Sequence, residues 1–428
     1  MDELSLNMFQ RLVRSWEAVH PYNAAQALKL SGAPDQTAIN AAWHRSLAAF
    51  GLGRVRASGS SFGYEILNGD AHRFPVGSLS IGTSLQTHLS AALNQPFHDE
   101  NEPPLRPFFI PLDGAYYLGL TYRHWIADSA SIRLLLREWC ARLIDPALAA
   151  ENPPRLGREG YWDLYGPRRG RLRVDQAILS LFRSHMRFRT VQKVHMVGAA
   201  DFPMRVLLRE LPFGAIGAVR LAARRRGATV GDVLQAALAV ACHRHVPLQR
   251  RPQRRDIAIG NIVDLRKHSD RDLSNAFGFY LGFTHVACRR QDMGDFDRVL
   301  RSVSQQNSAR RRDGIAQHSL GALIAGLVAE RLGKPRNVYR LYRKEIPMAA
   351  GLSNVNLDGS WPEKIYPDPL LQYIRVSPTG PMAPLVLTTT TLRSQMQIAL
   401  TYRSGLFSEL DAERVSDTVI ELISRLSP

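Results

Sequence analysis

The sequence predicts an α/β chain in two lobes, each a mixed sheet flanked by helices. Three observations carry that prediction. At 428 residues and 45% hydrophobic, the chain is too long for one domain of roughly 150 residues and apolar enough to bury more than one core. Strand-like and helix-like segments follow one another in both halves, the pattern of a layered α/β architecture. Between the halves, residues 146–175 are punctuated by Pro146, Pro153, Pro154, Gly157, Gly160, Gly166, Pro167 and Gly170, a composition that breaks regular structure. The join is placed within 150–200, with an N-terminal lobe over 1–175 and a C-terminal lobe over 176–428.

Taken in order, residues 5–50 read as helical, broken around Ser31-Gly32-Ala33-Pro34, where turn chemistry is strong. After the break, Ile39, Trp43, Leu47 and Phe50 recur at spacings of four and three, one apolar face of a helix beginning near Asp35. Over much of 51–114, Gly, Pro and Ser interrupt segments too short to assign. Two apolar runs, Phe108–Leu112 and Ala115–Tyr122, flank Asp113-Gly114, a dipeptide that tolerates the positive φ of a tight hairpin turn. The second strand is expected to end at Tyr122. Ile132, Leu135, Leu136, Trp139 and Leu143 then mark an apolar stripe at helical spacing, so a helix starts between Asp128 and Ser131 and residues 123–128 form a strand-to-helix loop.

In the second half, Arg205–Leu211 resembles a strand and 214–226 a helix. A further helix begins at Thr229, whose hydroxyl and Asp232 three residues on make a capping pair over the stripe Val230, Val233, Leu234, Ala237 and Leu238. Strands are expected at Ile257–Val263, Phe277–Ala287, Leu385–Leu392 and Gln395–Tyr402, with a closing helix from about 408.

Charge and composition bound the function. Lys and Arg number 55 against 38 Asp and Glu, a net charge of +17, which gives a field that attracts phosphates, nucleotides or acidic protein surfaces. The clusters Arg224–Arg226, Arg250-Arg251 with Arg254-Arg255, and Arg310–Arg312 are dispersed among apolar segments and read as solvated faces. They lack the interleaved aromatics of a single-strand nucleic-acid groove, so nucleic acid is not the expected partner. The start lacks the cationic-then-apolar pattern of a secretory signal, and no run approaches the ~18 apolar residues of a membrane span. A soluble, cytoplasmic chain is expected. Cys140, Cys242 and Cys288 are too scattered for a disulfide framework or a cysteine zinc site. His243 and His245, two apart on a helix end, do not share a face, so no metal is expected there. There is no Gly-x-x-x-x-Gly-Lys, which leaves phosphate-loop chemistry without support.

The informative residues are Arg123-His124-Trp125-Ile126-Ala127-Asp128, because a strand-to-helix loop presents side chains from a rigid scaffold. A neutral imidazole takes a proton from a hydroxyl or amine near physiological pH and returns it to a leaving group. His124 also has an ordinary reading as a satisfied structural residue. Asp128 likewise reads as the cap of the following helix, binding its free N–H groups.

The stretch from Tyr122 to Ser131, Tyr-Arg-His-Trp-Ile-Ala-Asp-Ser-Ala-Ser, resembles the His-His-x-x-x-Asp-Gly signature of an acyltransferase superfamily. That superfamily includes chloramphenicol acetyltransferase, condensation domains of nonribosomal peptide synthetases, polyketide-associated acyltransferases and wax ester synthases. His124 matches the second, catalytic histidine; Arg123 replaces the first and Ser129 the glycine. Three further stretches agree in order. Gly227-Ala228-Thr229-Val230-Gly231-Asp232-Val233-Leu234 looks like the family's Gly-Ala-Thr-x-x-Asp-x-Leu helix start. Val263-Asp264-Leu265-Arg266, followed by Asn275-Ala276-Phe277-Gly278-Phe279, is similar to its Val-Asp-Leu-Arg segment and the strand entry beyond. Leu352-Ser353-Asn354-Val355 looks like its Ser-Asn-Val segment. The likeness runs from about residue 8 to 425, with 122–131 and 227–278 its specific parts.

The resemblance implies two chloramphenicol-acetyltransferase-like lobes meeting at a tunnel, with His124 at its centre as general base. The implied donor is a thioester of acyl-coenzyme A or of a phosphopantetheinyl carrier protein, and the acceptor a small-molecule alcohol or amine, with no bound cofactor. Asp128 is implied to be structural, pairing with Arg266. Arg123, Ser129, Gly278, Ser353 and Asn354 are the candidate tunnel residues, with Ser353 and Asn354 also candidates for polarising the thioester carbonyl. A charged neighbour at Arg123 is expected to depress the pKa of His124 and to affect donor fit. A stand-alone monomeric enzyme of natural-product or lipid metabolism follows. The altered positions Arg123 and Ser129 motivate an alternative, a non-catalytic condensation-like protein that docks on synthetase or carrier partners.

Overall fold

A computed structural model of the chain describes residues 3–52, 54–57, 63–67, 75–97, 103–149, 154–157, 159–165, 174–194, 202–249, 253–333, 335–359 and 370–426. Eleven strands build its two large sheets: β1 (Asn23–Ser31), β2 (Gly77–Ser78), β3 (Leu105–Pro111), β4 (Ala115–Arg123), β5 (Met204–Glu210), β6 (Asp256–Asp264), β7 (Leu281–Arg289), β8 (Ala350–Asn356), β9 (Leu370–Val376), β10 (Leu385–Leu392) and β11 (Gln395–Arg403). The first sheet runs β9-β1-β4-β3-β2 and the second β5-β11-β10-β8-β6-β7. Both mix parallel and antiparallel pairs. The mixed-sheet architecture follows the sequence reading. Strand β9 lies late in the chain yet completes the first sheet, so the two sheets are tied by a strand as well as by packing.

The hairpin forms as the sequence dictates. Gly114 takes a positive φ of 65°, and β3 pairs antiparallel with β4 from Leu105↔Tyr122 to Pro111↔Tyr116. Strand β4 runs one residue past Tyr122, because Arg123 still pairs with Asn23 of β1. Asp128 then caps the helix Ser129–Ile144, accepting from the Ser131 N–H. That helix buries Ile132, Leu135, Leu136 and Trp139 completely, and its Trp139 packs 4.7 Å from Trp43 of the helix Gln36–Ala49. Each such buried aliphatic side chain contributes roughly 1.5–3 kcal/mol relative to exposure. In the second half, Thr229 and Asp232 form the expected reciprocal capping box of the helix Val230–His245.

Two elements depart from the sequence reading. Residues 5–50 are not helical throughout: β1 lies between the helices Met8–Glu17 and Gln36–Ala49. Asn23–Ser31 contains no β-branched residue, and its alanines favour helix in isolation. Tertiary pairing overrides that preference, since β1 is bonded by β4 on one side and β9 on the other, with Ala24, Ala25, Ala27 and Leu28 all at most 1% exposed. The strand expected over Phe277–Ala287 is interrupted, pairing at Ala276–Phe277 and resuming at Leu281. The backbone between them leaves the ladder to bind Asp128. Of the punctuated stretch between the halves, Pro153, Gly166, Pro167 and Gly170 lie outside the described residues, as does the Arg250-Arg251 pair.

A third cluster joins the sheets, with Ala25, Ala27, Phe108, Ile374 and Val376 of the first against Met204, Val206 and Ala399 of the second. Gly119 lets the first sheet close there: a Cβ on it would sit 2.2 Å from Phe108 Cζ and 2.8 Å from the Gln26 carbonyl oxygen. The substitution Gly119→Ala is therefore expected to cost about 1–3 kcal/mol by overpacking, measured as a lowered midpoint in thermal unfolding. An unchanged melting curve would contradict this packing of β1, β3 and β4.

Candidate active site

A cavity of about 440 Å³ is lined by residues of both sheets, among them Gln26, Tyr122, His124 and Ser129 on one side and Ser353, Asn354 and Val386 on the other. His124 follows β4 directly, and its backbone N–H donates to the Tyr22 carbonyl at 3.1 Å. Its ring is held between aromatic faces. It stacks on Tyr22 at 5.7 Å between centroids and meets Tyr122 and Phe279 edge-on at 5.8 and 5.6 Å. Its Nδ1 lies 3.3 Å from the Ala127 carbonyl oxygen. A carbonyl only accepts, so the neutral ring carries its proton on Nδ1 and keeps the Nε2 lone pair. Burial drives the pKa of His124 down to about 4; the Ala127 carbonyl and Asp128 oppose the shift, and the Arg375 cation adds to it. The ring is half-buried by surface exposure, yet the aromatic walls leave little water to stabilise an imidazolium.

Asp128 is fully buried. Its Oδ2 accepts from Arg266 Nη1 at 2.6 Å and from the Tyr280 N–H at 2.8 Å. Its Oδ1 accepts from Arg266 Nη2 at 3.0 Å and from the Ser131 N–H at 2.9 Å. Burial alone pushes this carboxyl up, but the Arg266 charge and the four N–H donors outweigh it and hold Asp128 below the usual carboxylate range. Arg266 keeps its proton more tightly than a free guanidinium for the reciprocal reason: burial opposes the charge, and Asp128 and Asp264 more than compensate. Its guanidinium also lies over the Tyr280 ring at 4.7 Å. Both ordinary and site-building readings of Asp128 thus hold at once, since the same carboxylate caps a helix and grips an arginine from the second half.

Ser129, Ser353 and Asn354 line the cavity; Arg123 and Gly278 do not. The Arg123 Nε donates to both Glu17 oxygens at 3.0 and 3.1 Å, and its guanidinium lies 5.0 Å from the Trp125 ring. Trp125 Nε1 donates to the same carboxylate at 3.0 Å. This cage turns the cation away from the cavity and neutralises it, so the depression at His124 comes from burial and then Arg375, not from Arg123. Gly278 acts through its backbone. Its carbonyl accepts from the Asp128 N–H at 2.9 Å, and its N–H donates to Ser131 Oγ at 2.9 Å.

The sequence reading missed Arg375 and Gln26. Arg375, on β9 and 4% exposed, donates from Nε to Ser129 Oγ at 2.7 Å, from Nη2 to Ser353 Oγ at 2.8 Å and from Nη1 to the Thr389 carbonyl at 3.2 Å. Gln26 Nε2 donates to Ser129 Oγ at 3.1 Å and its Oε1 accepts from the Tyr373 hydroxyl. One signal was present: Leu-Leu-Gln-Tyr-Ile-Arg-Val is an apolar strand interrupted by an arginine. Gln26 gave none, because its segment reads as helix. Elsewhere, His245 Nε2 lies 2.9 Å from Thr418 Oγ1, and no group of three or more His, Cys, Asp or Glu side chains comes together among the described residues. The three cysteines are buried and unpaired. No helix among the described residues is long and apolar enough to cross a membrane.

No family model matches the sequence, and no curated protein matches it. Solved structures do resemble it. The condensation domain of the monacolin K polyketide synthase aligns with a TM-score of 0.69 at 12% identity, covering 100% of this chain and 98% of that one. The trichothecene 15-O-acetyltransferase of Fusarium sporotrichioides gives 0.70 at 12% identity, covering 100% and 95%. The X-domain from teicoplanin biosynthesis gives 0.63 at 17% identity, covering 99% and 95%. The chain shares the two-lobed fold of these condensation-type domains and of the acetyltransferase.

Removing one partner of the Asp128–Arg266 pair leaves the other charged and buried. Asp128→Ala and Arg266→Met are each expected to lose about 3–5 kcal/mol of stability in chemical unfolding. A loss below ~0.5 kcal/mol, the range of an ordinary surface change, would contradict the geometry described.

Proposed function

We propose that this chain is an acyltransferase that moves an acyl group from a coenzyme A or carrier-protein thioester to a hydroxyl or amine. The observation that carries the reading is His124: a neutral imidazole, proton on Nδ1, on the wall of a cavity shared by both sheets. In the proposed reaction the acceptor O–H or N–H gives its proton to Nε2 while the oxygen or nitrogen attacks the thioester carbonyl carbon. The carbonyl π electrons move to oxygen, the tetrahedral intermediate collapses, and the leaving thiolate takes the proton back from the imidazolium. No covalent acyl-enzyme forms. Holding both reactants in the cavity would supply a large part of the acceleration, on the order of 7–11 kcal/mol for well-oriented pairs.

Ser353 is the candidate donor to the carbonyl oxygen. Its Oγ accepts from Arg375, which leaves its own proton to give and makes it a stronger donor. Asn354 supports the same role, because its Oδ1 accepts from Thr389 Oγ1 at 2.8 Å and its amide N–H groups are the donors that remain. The net charge of +17 would steer a phosphate-bearing coenzyme A or an acidic carrier protein toward the chain. Natural-product or lipid metabolism is the setting this chemistry fits.

A second reading, a docking protein without turnover, is favoured by one finding: an X-domain of teicoplanin biosynthesis, solved in complex with OxyB, shares this fold at 18% identity. The variant His124→Ala separates the two. The enzyme reading expects thiol release from acyl thioesters to fall by about 10²- to 10⁴-fold with the melting temperature retained; no release by the unaltered chain, with partner binding kept in His124→Ala, supports docking, and unchanged release in the variant would contradict His124 as the base. Because the ring loses its proton near pH 4, the base form persists above that value. The rate is therefore expected to stay level from pH 8 down to about 5 and to fall as pH drops through 4. A limb at the ordinary histidine value of about 6.5 would contradict the burial argument.

A further inference from the structure

Three arginines approach the motif loop, and their partners differ in kind. Arg123 faces Glu17 and Arg266 faces Asp128. Among the described residues, every atom that accepts from Arg375 belongs to a neutral group: two serine hydroxyls and a backbone carbonyl. Taking a guanidinium out of water without a counter-charge is costly, and native chains pair or use such groups. Its pKa is drawn down to about 10, first by burial and also by Arg133, with Tyr122, Tyr373 and, without a hydrogen bond to it, Asp128 opposing. Arg133 lines the same cavity, half-buried, with no hydrogen-bond or ion-pair partner among the described residues. Asp264, the carboxylate on that lining, already accepts from Arg266 at 3.0 and 3.3 Å.

The donors around Arg375 are also unused. A guanidinium has five N–H groups, and three of Arg375's are engaged, leaving two. Ser129 Oγ accepts from both Arg375 and Gln26, so its own proton is left to donate into the cavity it lines. Ser353 Oγ likewise accepts from Arg375, at Nη2. A cation flanked by two polarised hydroxyls is a compact oxyanion receptor. His124 and Arg375 line the same cavity, so a group held at this receptor shares that space with the proposed base.

We infer that Arg375, with Ser129 and Arg133, receives a free carboxylate carried by a substrate close to its reacting atom. This rests on the acyl-transfer reading of the same cavity and specifies its substrate: a hydroxy or amino acid as acceptor, or a dicarboxylic acyl group on the donor. The carboxylate supplies the missing counter-charge when it binds, and it places the acceptor's nucleophilic hydroxyl or amine, or the donor's carbonyl, within the reach of His124.

The test is calorimetric titration of the full chain with 3-hydroxybutyrate, 3-hydroxybenzoate and 3-aminobenzoate, each against its methyl ester, and with succinyl-coenzyme A against butyryl-coenzyme A. A tenfold or greater preference for the carboxylate form is expected in one arm, and the arm in which it appears identifies acceptor or donor. The preference should vanish in Arg375→Gln. Arg133→Gln, which breaks no hydrogen bond or ion pair among the described residues, should weaken it several-fold even if Arg375→Gln does not fold. Equal binding of acid and ester, with equal binding of the two thioesters, would overturn the inference, as would a preference that survives in folded Arg375→Gln. A clear carboxylate preference without thiol release from any donor–acceptor pair would uphold the receptor and overturn the transfer reading, so the two fail separately.

Discussion

The Asp128–Arg266 pair is the contact on which the rest of the site depends. Its carboxylate comes from the loop after β4 in the first sheet and its guanidinium from the segment after β6 in the second, so one buried interaction spans both halves. Two charges removed from water gain little unless geometry is good and every remaining lone pair is used. Here the guanidinium approaches with two parallel hydrogen bonds, and the N–H groups of Tyr280 and Ser131 take the rest. The cost of meeting that demand is visible in the fold: the chain gives up ladder pairing between Phe277 and Leu281 so that Gly278 and Tyr280 can turn their backbone groups on Asp128 and Ser131.

With Asp128 fixed, His124 has little freedom. Its loop is held at one end by β4 and at the other by a capped helix, and the ring is confined by Tyr22, Tyr122 and Phe279. The same confinement removes water, which is why the imidazole stays neutral rather than pairing as a cation. Asp128 points away to Arg266, so it does not serve as the ring's orienting partner; the Ala127 carbonyl does. The loop therefore divides its labour, with one residue for position and one for proton transfer.

The surroundings sort positive charge by purpose. Arg123, in place of a histidine, is caged by Glu17 and Trp125 and made electrically quiet. Arg266 is consumed by structure. Among the described residues, Arg375 alone of these three has only neutral hydrogen-bond partners, and it lines the cavity. A chain so rich in arginine hides this distinction in its sequence, because the identity of a cation's partner is a tertiary property.

Much of the architecture was legible from local signals. Asp113-Gly114 placed the hairpin, the Ile132–Leu143 stripe placed the helix, and together they fixed the loop that carries His124. The Asp128–Arg266 contact was expected only through resemblance to a known motif, since 138 residues separate the partners. Strand β1 was not legible: an alanine-rich segment without β-branched residues carries helical preference, and only its neighbours on both sides make it a strand. Gln26, which that strand supplies to the cavity, was lost with it. Arg123 was expected in the cavity through its place in the resembled motif, and Glu17, more than a hundred positions earlier, holds it elsewhere.

The proposed chemistry stands on the state of one ring. Nitrogen-detected NMR of histidine-labelled protein between pH 8 and 3 reads both the tautomer and the titration of His124. The structure predicts a neutral ring protonated at Nδ1 over most of that range, gaining its second proton near pH 4. A ring protonated at Nε2, or one that becomes cationic around 6.5, would contradict it.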